Sequence, residues 1–273
     1  MIIDAHTHVY PEKIVKKAIA KLEANSGVSA KVDGRKSGLI ASMKKAGINY
    51  SVLLPVATSP HQVDAINEEA GQTNATAEET GLLSFGGIHP DTENFKEVLK
   101  RVKALELKGI KLHPDYQGTF FNDIRYKRIV EKATELGLYC MVHAGEDIGL
   151  PNPVHCTPES VKEMLRETDT DKLILAHMGG WRMWQQVEEL LAGENVYFDT
   201  AFSLDNIEGV SGLLSKEEFV HLVRAHGAER IVFGTDSPWS DQKESVDWIM
   251  QTDLTEDEKE KIFAGNMRKI LDL

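Results

Sequence analysis

Short apolar runs alternate with amphipathic stretches along the whole chain. The runs are IIDAHTHV, YSVLLPV, LLSFGGIHP, LKGIKLHP, LYCMVHAG, KLILAHMGG, VYFDTAF and RIVFGTDSPW. They are rich in Val, Ile, Leu and Tyr and nearly continuous in hydrophobicity, as strands buried on both faces are. The stretches between them carry helical spacing. In DTENFKEVLKRVKALE, the residues Phe95, Val98, Leu99, Val102 and Leu105 fall on one helical face. In RYKRIVEKATELG the same spacing recurs at Ile129, Val130, Ala133 and Leu136, and Gly137 offers a stop. Ser59 to Gln62, Ser215 to Glu218 and Thr255 to Glu258 have the form of capping boxes, and Thr157-Pro158 is a cap followed by proline at the first helical position. Eight strand–helix units in a chain of this length predict the α/β class and a (β/α)8 TIM barrel, as a single domain over residues 1–273. An open doubly wound sheet is the alternative. It would need a glycine-rich phosphate loop after the first strand, and HTHVYPEK is not one.

Composition narrows the function without naming it. Of the 273 residues, 41% are hydrophobic and 27% charged, an ordinary globular balance. The formal net charge of -12 disfavours nucleic acid as a partner. No apolar run approaches the ~18 residues of a membrane span. The N-terminus enters a strand directly, without the basic and apolar regions of a secretory signal. Cys140 and Cys156 do not make a disulfide framework. These features lead to the expectation of a cytoplasmic protein, free or as a homo-oligomer, acting on a small molecule.

The polar residues of the runs collect at their ends. His6 and His8 end the first, His89 the third, Lys111 and His113 the fourth, His143 the fifth, His177 the sixth, Asp199 the seventh and Asp236 the eighth. Residues i and i+2 of a strand share a face, so His6 and His8 can reach one ion together. Six of the ten histidines fall in such strand-end contexts, whereas His221 and His226 fall in a helical stretch. In a barrel these ends converge on one mouth, where the active site lies. Imidazole and carboxylate suit zinc and similar divalent ions, and such an ion lowers the pKa of water from about 15.7 toward about 7. Asp236 is placed to accept the water's proton. Tyr10, Tyr116, His155, Trp181, Arg182 and Trp239 lie just beyond strand ends and are candidates for a substrate pocket, with Arg182 as a carboxylate clamp.

The motifs DAHTH, KLHP, VHAG, LAHMGG and FGTDSPW, in this order, together with the closing IFAGNMRKILDL, resemble the amidohydrolase superfamily, in its amidohydrolase-related branch. The resemblance implies a barrel with a divalent metal, usually zinc, at the strand C-termini. It implies that His6, His8, His143 and Asp236 are metal ligands and that His177 is an acid/base or substrate ligand, or holds a second metal. Lys111 and His113 stand where some branches carry a bridging carboxylated lysine. One metal is favoured, with Lys111 and His113 facing the substrate and carboxylation of Lys111 left open.

The expected activity is that of a metal-dependent hydrolase: metal-bound water attacks the carbonyl of an amide, lactone or ester in a small, carboxylated substrate, with Asp236 and His177 as catalytic residues. A non-oxidative decarboxylase or hydratase on the same site is the alternative. A TatD-type deoxyribonuclease is disfavoured by the lack of a glutamate at the strand-four end and by the acidic charge. A non-enzymatic metal-binding protein would need a closed coordination shell.

Overall fold

Each apolar run folds as a parallel strand, and the computed structural model describes residues 1–273. The strand segments are β1 (Ile3–Thr7), β2 (Tyr50–Leu53), β3 (Leu82–Ser84), β4 (Gly86–Gly87), β5 (Gly109–Leu112), β6 (Tyr139–Val142), β7 (Leu173–Leu175), β8 (Tyr197–Asp199) and β9 (Ile231–Val232). They pair in the orders β1-β2-β3 and β4-β5-β6-β7-β8-β9. β3 and β4 are one stave interrupted at Phe85, so nine segments make eight staves. The break in the ladder follows from the sequence, because Gly86-Gly87 has no side chains to pack and admits the Asn67 carboxamide, which bonds Gly87 from both its oxygen and its nitrogen. The barrel closes between its first and last staves: Ala5 N–H donates to Phe233 O, Asp236 N–H to His6 O and His8 N–H to Ser237 O. The fold is the (β/α)8 barrel that the alternation predicts.

The helices begin and end where local chemistry says they should. Val98, Leu99 and Val102 are the buried face of the helix Phe95–Ala104. The boxes at Ser215 and Thr255 form reciprocally with Glu218 and Glu258. Thr157 caps the helix Pro158–Thr168 by accepting from Ser160 N–H. No helix is long and apolar enough to cross a membrane.

Two apolar layers result. The larger lies between the strands and the helices and takes Ile110 and Leu112 of β5 and Cys140 and Val142 of β6. The smaller fills the barrel interior with Ile3, Ala5, Val52, Phe85, Met141, Ile174 and Val232, packed against Met267, Ile270 and Leu271 of the last helix. By alternation Lys111, between Ile110 and Leu112, turns inward. In β1 the alternation breaks. Pairing with β2 shifts register between Asp4 and Thr7, so His6 reaches the interior although Ala5 before it does too.

Candidate metal centre

The rim of the interior holds the polar residues of the strand ends. His6 is buried at the end of β1, and its Nδ1–H donates to Asp199 Oδ2 at 2.7 Å. His8 donates Nδ1–H to Leu54 O at 2.9 Å. A carboxylate or a carbonyl can only accept, so each ring keeps its Nε2 lone pair bare, as outer partners of metal-binding histidines do. The two bare nitrogens stand 3.1 Å apart, and Asp236 Oδ1 lies 3.1 Å from His8 Nε2 and 3.6 Å from His6 Nε2. Three acceptor atoms facing one another repel unless a cation or proton lies among them. Four donors about 2.1 Å from one tetrahedral ion stand about 3.4 Å apart, which is the spacing here. The donor set therefore fits a divalent cation, and His6, His8 and Asp236 are the residues that the fold brings together.

Lys111 Nζ is 3.3 Å from His6 Nε2. Burial pulls its ammonium down to about 8, against the nearby Asp199 and Asp236 carboxylates that hold it up. Burial also holds His6 well below the ordinary imidazole range, with Lys111 adding to the effect, so the ring is neutral and free to ligate. For Asp236, burial would push the carboxyl up, and only positive charge on the side of His6 and His8, a proton shared by their rings or a cation in its place, pulls it down.

A second group adjoins the first. His177 donates Nδ1–H to Ala201 O at 2.8 Å, and its Nε2 lies 3.0 Å from His143 Nδ1. His143 is neutral, because burial lowers it far below its usual value. With its Nδ1–H given to His177, its Nε2 is bare, buried and without a partner. The resemblance groups His143 with His6, His8 and Asp236. In the structure its ring is instead turned by His177 and stacked on His113 (4.1 Å between centroids, 8° between planes), and its near neighbours are His113 and Asp147. His113 accepts Tyr116 N–H at Nδ1, which leaves its Nε2–H facing Asp147 Oδ2 at 3.5 Å. That group has its own donor. Burial raises the Asp147 carboxyl to about 6, against a bond from Gly149 N–H.

The backbone at the rim is strained. His177 (φ 61), Met178 (φ 53) and Asp236 (φ 63) are left-handed without being glycine. Each such residue costs of order 1–3 kcal/mol and persists only where its surroundings fix it. Met178 N–H donates to Asp199 O and Asp236 N–H to His6 O, which fix them. Gly145 (φ +84) lets the loop after β6 touch the loop after β7, since a Cβ there would lie 2.1 Å from Trp181 N.

The remaining sequence candidates divide. Tyr10 lies beside Trp239 and Asp236 at the rim. Arg182 is engaged elsewhere: it stacks on Trp181, donates to Ser211 O at 2.7 Å and lies 3.9 Å from Glu146, with none of the central imidazoles among its contacts. His89 accepts Asp91 N–H and stands apart from both groups. Sequence reasoning missed two partners. Asp199 stood at a strand end without a role, yet it orients His6 with one oxygen and takes His177 N–H and Ala201 N–H with the other. Asp147, four residues after His143 in HAGED, carried no periodic signal.

The family model described as Amidohydrolase matches residues 3–273. Among curated proteins none matches this chain. Three solved structures share the fold. The 5-carboxyvanillate decarboxylase of Sphingomonas paucimobilis is 15% identical, with a TM-score of 0.69 over 100% of this chain and 99% of that one. The 2,6-dihydroxybenzoate decarboxylase from Rhizobium is 16% identical, with a TM-score of 0.69 over 99% and 98%. The dihydroxybenzoic acid decarboxylase from Polaromonas sp. JS666, with bound manganese and the inhibitor 2-nitroresorcinol, is 16% identical, with a TM-score of 0.70 over 100% and 97%.

Proposed function

The chain belongs to the amidohydrolase family, and from that premise we propose that it is a metal-dependent enzyme acting at the carbonyl or carboxylate of a small anionic substrate. The observation that carries this reading is the convergence of three acceptor atoms, His6 Nε2, His8 Nε2 and Asp236 Oδ1, with no more than 3.6 Å between any two. In this reading they hold one divalent ion, zinc by donor type, and His143, the fourth donor that the resemblance implies, brings its bare, unpartnered Nε2 to it by turning from His113 and Asp147. A bound divalent cation would polarise a substrate oxygen and lower the pKa of water toward neutrality.

The chain's own residues supply the rest. Asp236, held ionised, accepts a proton at its carboxylate during attack on a carbonyl. His177, oriented by Ala201 O, serves the reacting oxygen or leaving group at Nε2 by exchanging its bond from His143 Nδ1–H for one to the substrate. Lys111 offers the one buried ammonium of this rim to an anionic substrate. The nearby cavity of about 160 Å³, lined by Asp115, Glu146 and Asp147, is acidic and would repel that end of the substrate. Hydrolysis of an amide, lactone or ester is the first reading. Non-oxidative decarboxylation is the second and weighs as heavily, because solved proteins of this fold named as decarboxylases cover the chain end to end.

The test is elemental analysis of the purified protein, followed by a substrate panel with and without chelator and with zinc or manganese restored. Small carboxylated lactones, esters and amides are followed by acid release, and aromatic hydroxy acids by carbon dioxide release. Turnover that disappears with chelator and returns with one metal is expected. A protein that binds no divalent ion and gains nothing from any would refute the reading.

A further inference from the structure

We propose that Asp4 is a positioning residue: its carboxylate ties β1 to the segment that carries Asp236 and so sets the spacing of His6 from Asp236. The proposal rests on the reading of His6, His8 and Asp236 as cation ligands.

Asp4 is fully buried, and both of its oxygens are occupied. Oδ1 accepts His6 N–H at 3.1 Å and Thr235 N–H at 3.0 Å. Oδ2 accepts the Thr235 hydroxyl at 2.6 Å and Gln242 Nε2–H at 2.7 Å. One side chain thus grips the backbone of one ligand residue, the residue just before another, and the first residue of the helix Gln242–Met250 that follows it. Gln242 donates as well to Ser51 Oγ at 3.2 Å, which extends the tie to β2.

The location gives the tie its purpose. It sits at the seam where the barrel closes, beside the register shift between Asp4 and Thr7 that lets His6 turn inward. It also abuts Asp236, whose left-handed backbone needs neighbours that fix it. A carboxylate buried on the outer side of β1, away from any substrate, has no other evident use. A merely structural clip would stabilise the fold and leave the ligand geometry alone; a positioning residue governs cation affinity.

The experiment measures cobalt(II) affinity and the cobalt d–d absorption band, which reports ligand geometry, together with thermal melting. It compares the natural chain with Asp4→Ala, Asp4→Asn, Thr235→Val and His6→Ala. Loss of a partner that orients a ligand costs 10–100-fold in metal affinity, so Asp4→Ala is expected to weaken cobalt binding by about that factor and to change the band. Asp4→Asn keeps the oxygen that accepts both backbone N–H groups. Its amide can meet Gln242 Oε1, which is buried and without a partner, once the glutamine carboxamide turns over. Recovery of affinity to within a few-fold of the natural chain is expected. A folded Asp4→Ala protein with unchanged affinity and band overturns the proposal. If Asp4→Ala does not fold, Thr235→Val decides, since it leaves the Asp4 carboxylate and both backbone N–H bonds in place and removes the hydroxyl bond to Asp4, together with a longer one that the hydroxyl accepts from Ser237 N–H: weaker binding with an altered band supports the proposal and no change overturns it. His6→Ala separates the two readings. Its loss of cobalt upholds the cation site whatever Asp4 does, and its full retention of cobalt ends both.

Discussion

Along four strands the barrel interior changes character within a few residues. Ala5 gives way to His6, Met141 to His143, Ile174 to His177 and Val232 to Asp236. The lower members of these pairs are fully buried and apolar, and each large one contributes on the order of 1.5–3 kcal/mol by leaving water. The three histidines above are nearly as buried and Asp236 is half-buried, yet they are polar, and burial of such groups costs free energy unless hydrogen bonds compensate. Compensation is thorough but incomplete. Asp199 takes His6 and His177, carbonyls take His8 and His177, and what stays unpaired is the set of lone pairs that would face a cation. The lower half keeps the barrel shut; the upper half gives up stability for an arrangement with a use. The left-handed residues His177, Met178 and Asp236 fall in the upper half as well.

Substitutions can break this contrast. The largest effect is expected from Asp236→Asn, which keeps shape and removes charge. Turnover should fall to background while the melting temperature stays within a few degrees; full turnover would remove Asp236 from the chemistry. Met141→Ala in the lower half should cost about 2–5 kcal/mol in denaturant unfolding and leave the metal content of the folded protein unchanged. Parallel loss of metal would mean that the two halves are not separable. Asp199→Asn presents an amide to His6 Nδ1 and disturbs the tautomer, and a 10–100-fold weaker metal affinity is expected by titration.

The smallest effect is a pH dependence at a histidine outside both halves. His226 stacks on Phe198 and is bonded at both ring nitrogens, donating to Val196 O and accepting Gly193 N–H. Burial pulls it down to about 4, from about 6.5 in the unfolded chain. The unfolded state therefore binds the proton first, and the stabilisation present above about pH 6.5 is lost as pH falls toward 4. From pH 7 to 5.5 the loss is on the order of 1 kcal/mol. His226→Gln, which can donate and accept at the same places, should flatten that slope in urea unfolding; an identical slope would relieve His226 of the effect.

Much of this protein is written in local pattern. Strand and helix periods, the capping residues at Ser215, Thr255 and Thr157, and the histidines and aspartates that end the apolar runs all depend on neighbours a few residues away. Those fixed the barrel, the rim at which its polar strand ends gather, and the meeting of His6, His8 and Asp236 there. The tertiary structure alone decided how the rim is divided. Asp199 meets His6 across 193 positions and Asp4 meets Thr235 across 231. His143 turns toward His113 and Asp147, and Arg182 is taken up by Ser211 and Trp181. The reason is physical. Periodicity tells which way a side chain leaves its strand, whereas its partner depends on the closure of the sheet, the register shift in β1 and the path of the loops, none of which a single stretch of chain encodes.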